Sequence, residues 1–267
     1  MNRSSILIAA VLLAGVFAGA IRAQSPYELD RWKDGWIAGG SAAGGLAAAL
    51  LEQTPAPLTE REIALLSRES VNRFDRSATY NYSPDAGAAS DVLVGAMVAA
   101  PLALLIDGRI RGDWRVISMM YAETMAIAVI LPAYGKGAVD RIRPFVYNPD
   151  APLDEKTTSD ARKAFFSRHT AVAFASAAYI STVYGDYHPG SAAGPYLWAG
   201  SMLAAAAVGI MRCESGEHFP SDVITGAAAG FAAGYLVPRL HRSPADRVSL
   251  LPDCSGSRAG VALSMRI

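Results

Sequence analysis

The sequence predicts an all-α fold, a bundle of six helices, on three observations. The 267-residue chain is 52% hydrophobic and only 18% charged, against roughly 25% charged in an ordinary soluble domain. Its apolar residues gather into runs at 36–51, 92–106, 116–133, 170–185, 195–211 and 223–238, far longer than the roughly 4–8 residues of a strand. The runs are built from Ala, Leu and Met rather than from the β-branched residues that strands favour.

The N-terminus stands apart. Asn2 and Arg3 precede the uncharged stretch "SSILIAAVLLAGVFAGAI", with small residues at Ala18, Ala20 and Ala23. A basic start, an apolar middle and small residues at the end read as a secretory signal peptide. Cleavage after Ala20 or Ala23 is expected, with a retained membrane anchor as the competing reading. Residues 1–23 are therefore set outside the fold, 24–242 form the helical domain, and 243–267 form a tail whose last residues read as extended.

The first run carries Gly40 and Gly44, a spacing that suits close helix packing in lipid or in a tight soluble bundle. The polar connector "RESVNRFDRSATY" at 68–80 follows, with a short helix expected near Pro57. After the second run, Arg109, Arg111 and Arg115 mark a solvated or headgroup-facing loop. The third run is interrupted by Glu123, which an apolar helix tolerates only with a partner; a structural hydrogen bond is expected there. "VYNPDAPLDEKTTSDA" at 146–161 reads as loop. The last three runs complete the bundle.

Each run lies at or below the short end of the roughly 17–25 residues that span a membrane. With six spans, the N-terminus, the Arg-bearing loop 107–115 and the Arg-bearing tail share one side, which the positive-inside rule makes cytoplasmic. A cleaved signal peptide leaves the mature N-terminus outside, so the two expectations conflict. Membrane-embedded and soluble forms both stay open. Zero net charge and the lack of a basic cluster exclude the electrostatic footprint of a nucleic-acid binder. Cys213 and Cys254 form no CxxC pair and no zinc spacing; they pair with each other or are two separate thiols.

Three polar islands interrupt the apolar runs. In "KGAVDRIRP", six residues separate Lys136 from Arg143. In "FFSRHTA", Ser167, Arg168 and His169 open the fourth run. In "RCESGEHFPSD", Arg212 is followed by His218 and then by Asp222. These are the end of helix three, the start of helix four and the joint between helices five and six. In an antiparallel bundle all lie at one end and converge on one pocket. Lys136, Arg143 and Arg212 there call for an anion rich in oxygens, because guanidinium forks match phosphate. Helix starts add unpaired N–H groups and a positive dipole end. Two histidines supply a nucleophile and a proton donor near neutral pH. Asp222, one turn after His218, is placed to hold one ring nitrogen and aim the other.

Lys-x6-Arg-Pro, Ser-x-His and Arg-x5-His-x3-Asp, in this order over residues 134–225, resemble the type 2 phosphatidic acid phosphatase and haloperoxidase superfamily. The resemblance implies that His218 forms a phosphohistidine with Asp222 as its partner. His169 becomes the general acid and later the base. Lys136, Arg143, Ser167 and Arg212 become the phosphate binders. Two departures stand out. Arg168 replaces the Gly usual before the second-motif His and adds a fourth cation to the phosphate-binding set, and Met211 replaces the Ser usual before Arg212.

The expected activity is a metal-independent hydrolysis of phosphate mono- or diphosphate esters, with no cofactor and no metal. A phosphorylated lipid, such as a phosphatidate or a polyprenyl diphosphate, is the expected substrate. Export follows, with the site facing the periplasm from the cell membrane, or with a soluble periplasmic enzyme acting on small phosphate esters. A vanadium-dependent haloperoxidase and a non-catalytic phospholipid-binding membrane protein are the alternatives. His188 and His241 are read as capping or core residues, and Asp140 and Arg141 as surface.

Overall fold

The computed structural model describes residues 25–51, 55–243, 248–253 and 260–265. The expected signal peptide and Cys254 lie outside these residues. The chain divides into two units: Leu29–Arg242, and a second that joins the residues before Leu29 to those from Ser243 onward. In the second unit, β1 (Val248–Asp253) pairs antiparallel with β2 (Gly260–Met265), Val248 facing Met265. The extended tail read from the sequence is thus a two-stranded ladder.

Leu29–Arg242 is helical. Its long helices are α1 (Arg31–Leu51), α2 (Pro84–Ala99), α3 (Trp114–Ala138), α4 (Arg168–Tyr187), α5 (Ala193–Glu214) and α6 (Pro220–Leu240). Two short α-helices, Glu60–Ala64 and Leu153–Lys156, lie in the connectors. Local chemistry sets the starts. Ser83 caps α2 by accepting from Ala86 N–H, with Pro84 in the first turn. Ser167 caps α4 by accepting from Thr170 N–H. At α6, Pro220 fills the first position and the Asp222 carboxylate accepts from Phe219 N–H. Each cap satisfies a donor that has no partner inside its helix.

Glycines decide how closely the helices approach. Gly226, Gly230 and Gly234 line one face of α6, and a Cβ on them would collide with Ser167 O, Ala171 O and Ala175 O of α4. The rising order of both sets shows that α4 and α6 run parallel, their backbones in direct contact. The sequence pointed instead to Gly40 and Gly44; Gly40 faces open space and Gly44 makes ordinary contact with Tyr134. α5, which joins them in the chain, returns antiparallel alongside: Ser181 of α4 meets Ser201 at 3.0 Å, and Gly209 sits against Thr170 and Val223. The end of α3, the starts of α4 and α6 and the end of α5 therefore share one end of the bundle.

Gly230→Ala is expected to force α4 and α6 apart, since the new Cβ would lie 1.9 Å from Ala171 O. Overpacking of this kind costs roughly 1–3 kcal/mol. Thermal denaturation should show the loss. An unchanged melting temperature would refute the close approach.

Four helical stretches, Pro84–Ile106, Arg111–Ala138, Ala193–Glu214 and Pro220–Leu240, are long and apolar enough to cross a membrane. Their apolar residues turn outward, as with Val92, Ile106 and Leu203, each more than two-thirds exposed. Trp32, Trp36, Trp114, Tyr196 and Trp198 are also exposed. All five fall near helix starts at the end away from the polar islands, the level at which aromatic rings mark a membrane–water interface.

Candidate active site

His218 lies in the short joint between α5 and α6 and is 1% exposed. Its Nδ1 is 2.7 Å from the Ala164 carbonyl oxygen. A carbonyl only accepts, so Nδ1 carries the hydrogen and Nε2 keeps its lone pair. Burial, and then the charges of Arg143, Lys136 and Arg212, hold the imidazole well below its usual pKa. The ring is therefore neutral at ordinary pH, aimed by a backbone oxygen and set in the field of three cations.

The role expected for Asp222 is filled differently. Its Oδ2 is 3.9 Å from His218 Nδ1, beyond hydrogen-bond reach. Ala164 O orients the ring in its place. Asp222 is fully buried and accepts from Phe219 N–H at 2.9 Å and from the Arg141 guanidinium. Arg141, read from the sequence as surface, is instead the hub of a network. It also donates to Asp75 Oδ2 at 2.8 Å and to Ser221 Oγ at 2.9 Å. Its guanidinium stacks 4.3 Å above the Phe219 ring, next to His218. Asp75 further accepts from Ser221 N–H at 2.9 Å. Asp140 is exposed, and it pairs with Arg162 at 2.9 Å. Neither Asp75 nor Arg141 has a sequence signal, because their partners lie 66 and 81 residues apart along the chain.

Arg143 and Arg212 share the Glu217 carboxylate, and their charges act with that of Lys136 on His218. Arg143 is buried; it donates to Asp160 O at 2.9 Å through Nε and pairs with the Asp160 carboxylate at 2.7 Å. Arg212, also buried, donates to Ser90 Oγ at 3.2 Å and lies 3.4 Å from Asp91 Oδ1. Its Nε is a buried donor without a hydrogen-bond partner among the described residues, a cost that an oxyanion would remove. Lys136, half-buried in the last turn of α3, acts on both histidines. Ser167 is fully buried; its oxygen accepts from Thr170 N–H and from Thr170 Oγ1 at 2.9 Å, which leaves its own hydrogen available for an anion. Arg168 is exposed at the first position of α4.

Sequence reading passed over Glu217. Its carboxylate pairs with Arg143 and lies 3.2 Å from Arg212 Nη2, so an acid already sits between the two guanidiniums. It borders a cavity of about 340 Å³ lined also by Tyr82, Ser83, Asp91, Arg212 and Ser215. A phosphate entering between Arg143 and Arg212 must displace it. Glu217→Gln is expected to tighten competitive inhibition by phosphate and vanadate by about tenfold, the equivalent of one charge-assisted hydrogen bond. An inhibition constant that weakens would show Glu217 to be a supporting group instead.

His169 opens the opposite wall. Its Nε2 is 2.9 Å from Asp91 Oδ1. Burial, then Arg212, lowers its pKa to about 4 against an opposing pull from Asp91. A groove of about 460 Å³ is lined by His169, Arg168 and Asp91 together with Val94, Gly95, Val98, Val129 and Val172.

Elsewhere, His188 pairs with Asp107 at 2.9 Å. Cys213 is a free thiol. Among the described residues, one group places three metal-type ligands together, Asp34, Glu123 and His241, and it lies away from this pocket.

Residues 117–244 match the family model of the PAP2 superfamily. No curated protein matches the sequence. Two solved structures are similar. One is LpxE from Aquifex aeolicus, at 21% identity and a TM-score of 0.43, covering 61% of this chain and 92% of that one. The other is the first transmembrane PAP2-type phosphatidylglycerolphosphate phosphatase, from Bacillus subtilis. It shows 19% identity and a TM-score of 0.47 and covers 75% of this chain and 94% of that one.

Proposed function

We propose that this chain, whose residues 117–244 match the family model of the PAP2 superfamily, is a phosphoric-ester hydrolase that cleaves lipid phosphates through a phosphohistidine on His218. One observation carries the reading. The Nε2 lone pair of His218 is set free by the Nδ1–H bond to Ala164 O, in the field of Lys136, Arg143 and Arg212.

In the first step Nε2 attacks phosphorus. The P–O ester bond breaks, and the leaving oxygen takes a proton from His169. Arg143, Arg212 and Lys136 meet the charge on the equatorial oxygens, with Ser167 O–H and the start of α4 as further donors; positioning and electrostatics supply most of the rate in such transfers. In the second step neutral His169 takes a proton from water, the oxygen attacks phosphorus, and the P–N bond breaks. Phosphate leaves and Nε2 recovers its lone pair. No step calls for a metal. Asp222 acts through Arg141 and the Phe219 backbone, holding the joint that carries His218.

The apolar groove beside His169 and Arg168 supports a lipid substrate, and the outward-facing apolar helices support membrane association. The site lies at the end opposite the exposed aromatic residues and the Arg-bearing loop 107–115, an arrangement that under the positive-inside rule supports a site facing the periplasm. Phosphate release from a phosphatidate and from a small aryl phosphate, each with and without EDTA, tests the proposal. Turnover of the lipid that survives EDTA is expected. A preference for the small ester would reject the lipid assignment, and loss of turnover at once on adding EDTA would reject the mechanism.

The acid step carries a pH signature. With its pKa lowered to about 4, His169 is protonated at acid pH and loses its proton as pH rises. The free-enzyme kcat/KM therefore falls on its alkaline side. Asp91 raises this pKa, so Asp91→Asn should move the alkaline limb to lower pH, each unit of displacement lowering the rate beyond the limb about tenfold. A limb that stays in place, or moves to higher pH, would remove His169 as the acid.

A further inference from the structure

Glu123, the one acid inside the third apolar run, finds its partner in His241, a residue that sequence reading set aside. His241 is 0% exposed and caps the end of α6. Its Nδ1 lies 2.8 Å from Val237 O and so must donate to it, which leaves Nε2 as the lone-pair nitrogen of the neutral ring. Nε2 faces Asp34 Oδ1 at 2.8 Å and Glu123 Oε2 at 3.3 Å. All three residues are buried, and one ligand atom from each falls within 4.8 Å of the others. Three electron-pair donors thus point at one another, and a cation must hold them.

A proton on Nε2 is the smaller choice. It serves Asp34 and leaves Glu123 stranded: neither oxygen of that carboxylate has a hydrogen-bond partner among the described residues, although the residue is 3% exposed. The Lys33 ammonium, the nearest other cation, donates to Leu240 O at 2.9 Å. A divalent ion satisfies all three donors at once. Bonds of about 2.0–2.2 Å to imidazole and carboxylate suit donors spaced as these are. The backbone carbonyl behind Nδ1 is the support that metal-bound histidines ordinarily have, and the negative end of the α6 dipole favours a cation there.

We propose that Asp34, Glu123 and His241 bind a divalent transition metal of the Zn²⁺ type, pinning α1, α3 and α6 together at the end of the bundle remote from the catalytic histidine. The length of α6, 21 residues, separates the two by roughly 30 Å. The ion is structural and takes no part in phosphoryl transfer.

The test uses the full chain in detergent, stripped by prolonged dialysis against chelator and then reloaded with Zn²⁺ or Co²⁺. About one Zn²⁺ per chain is expected in the wild type and in His218→Ala. At a hundredfold excess over its Kd, Zn²⁺ should raise Tm by roughly 5 °C or more. Co²⁺ should give the visible absorption of a low-symmetry site. Glu123→Gln, close to isosteric, and His241→Gln should each lose the ion, the absorption and the Tm gain. Turnover of the stripped wild type, assayed well below its Tm, should match that of the loaded protein. A wild type that takes up neither ion, or a Glu123→Gln protein that keeps it with the same Tm gain, overturns the assignment; uptake lost only in His218→Ala would place the metal in the catalytic pocket and overturn it equally.

Discussion

His218→Ala should abolish turnover, with a loss on the order of 10⁶-fold, as removal of the nucleophile costs in a serine hydrolase. The ring is buried, and the Nδ1–H bond to Ala164 O fixes its tautomer. Quenching the wild type during turnover of a radiolabelled lipid phosphate should trap label on the protein. That label should be labile in acid and stable in base, as a phosphoramidate is. His218→Ala should carry none. His169→Ala is the instructive contrast: it loses the proton donor, worth roughly 10²–10⁴-fold, yet still forms the labelled intermediate from a substrate whose leaving group needs no proton. Label on His169, or normal turnover in His218→Ala, would reverse the assignment of the two histidines.

Arg141→Met should produce the largest loss of stability. The substitution keeps the bulk beside Phe219 but leaves Asp75 and Asp222, both almost fully buried, facing each other's network without their shared cation. Breaking a buried pair from one side costs roughly 3–5 kcal/mol, and the lower figure applies because Arg141 is itself part exposed. Turnover should fall as well, since Asp222 anchors the Phe219 backbone next to the nucleophile. Adding Asp222→Asn removes one of the two stranded charges, so the double variant should recover part of the lost Tm. Strict additivity of the two changes would show that Arg141 and Asp222 do not act as a pair.

The network around Arg141 also marks where sequence reading stopped. "KGAVDRIRP" holds three cationic side chains. Motif spacing singles out Lys136 and Arg143, and nothing local tells Arg141 from a solvated residue. Its worth comes from Asp75 in a connector and Asp222 at the start of α6. Glu217 has the same history: it is adjacent to His218 in sequence, yet its place between two guanidiniums depends on where Arg143 arrives. Gly226, Gly230 and Gly234 show a helical spacing along the chain, but only the neighbouring carbonyls of α4 reveal why no side chain fits there.

The sequence by itself determined that this chain is helical, that three polar joints break its apolar runs, and that those joints hold cations and two imidazoles. These are properties of local composition and periodicity, which residues near one another in the chain decide. Tertiary structure alone decided which carbonyl aims His218, which guanidinium holds Asp222, and which histidine answers Glu123. Each of those is a contact across tens of residues between buried polar groups, where the need for a partner is written locally and its identity is settled by packing.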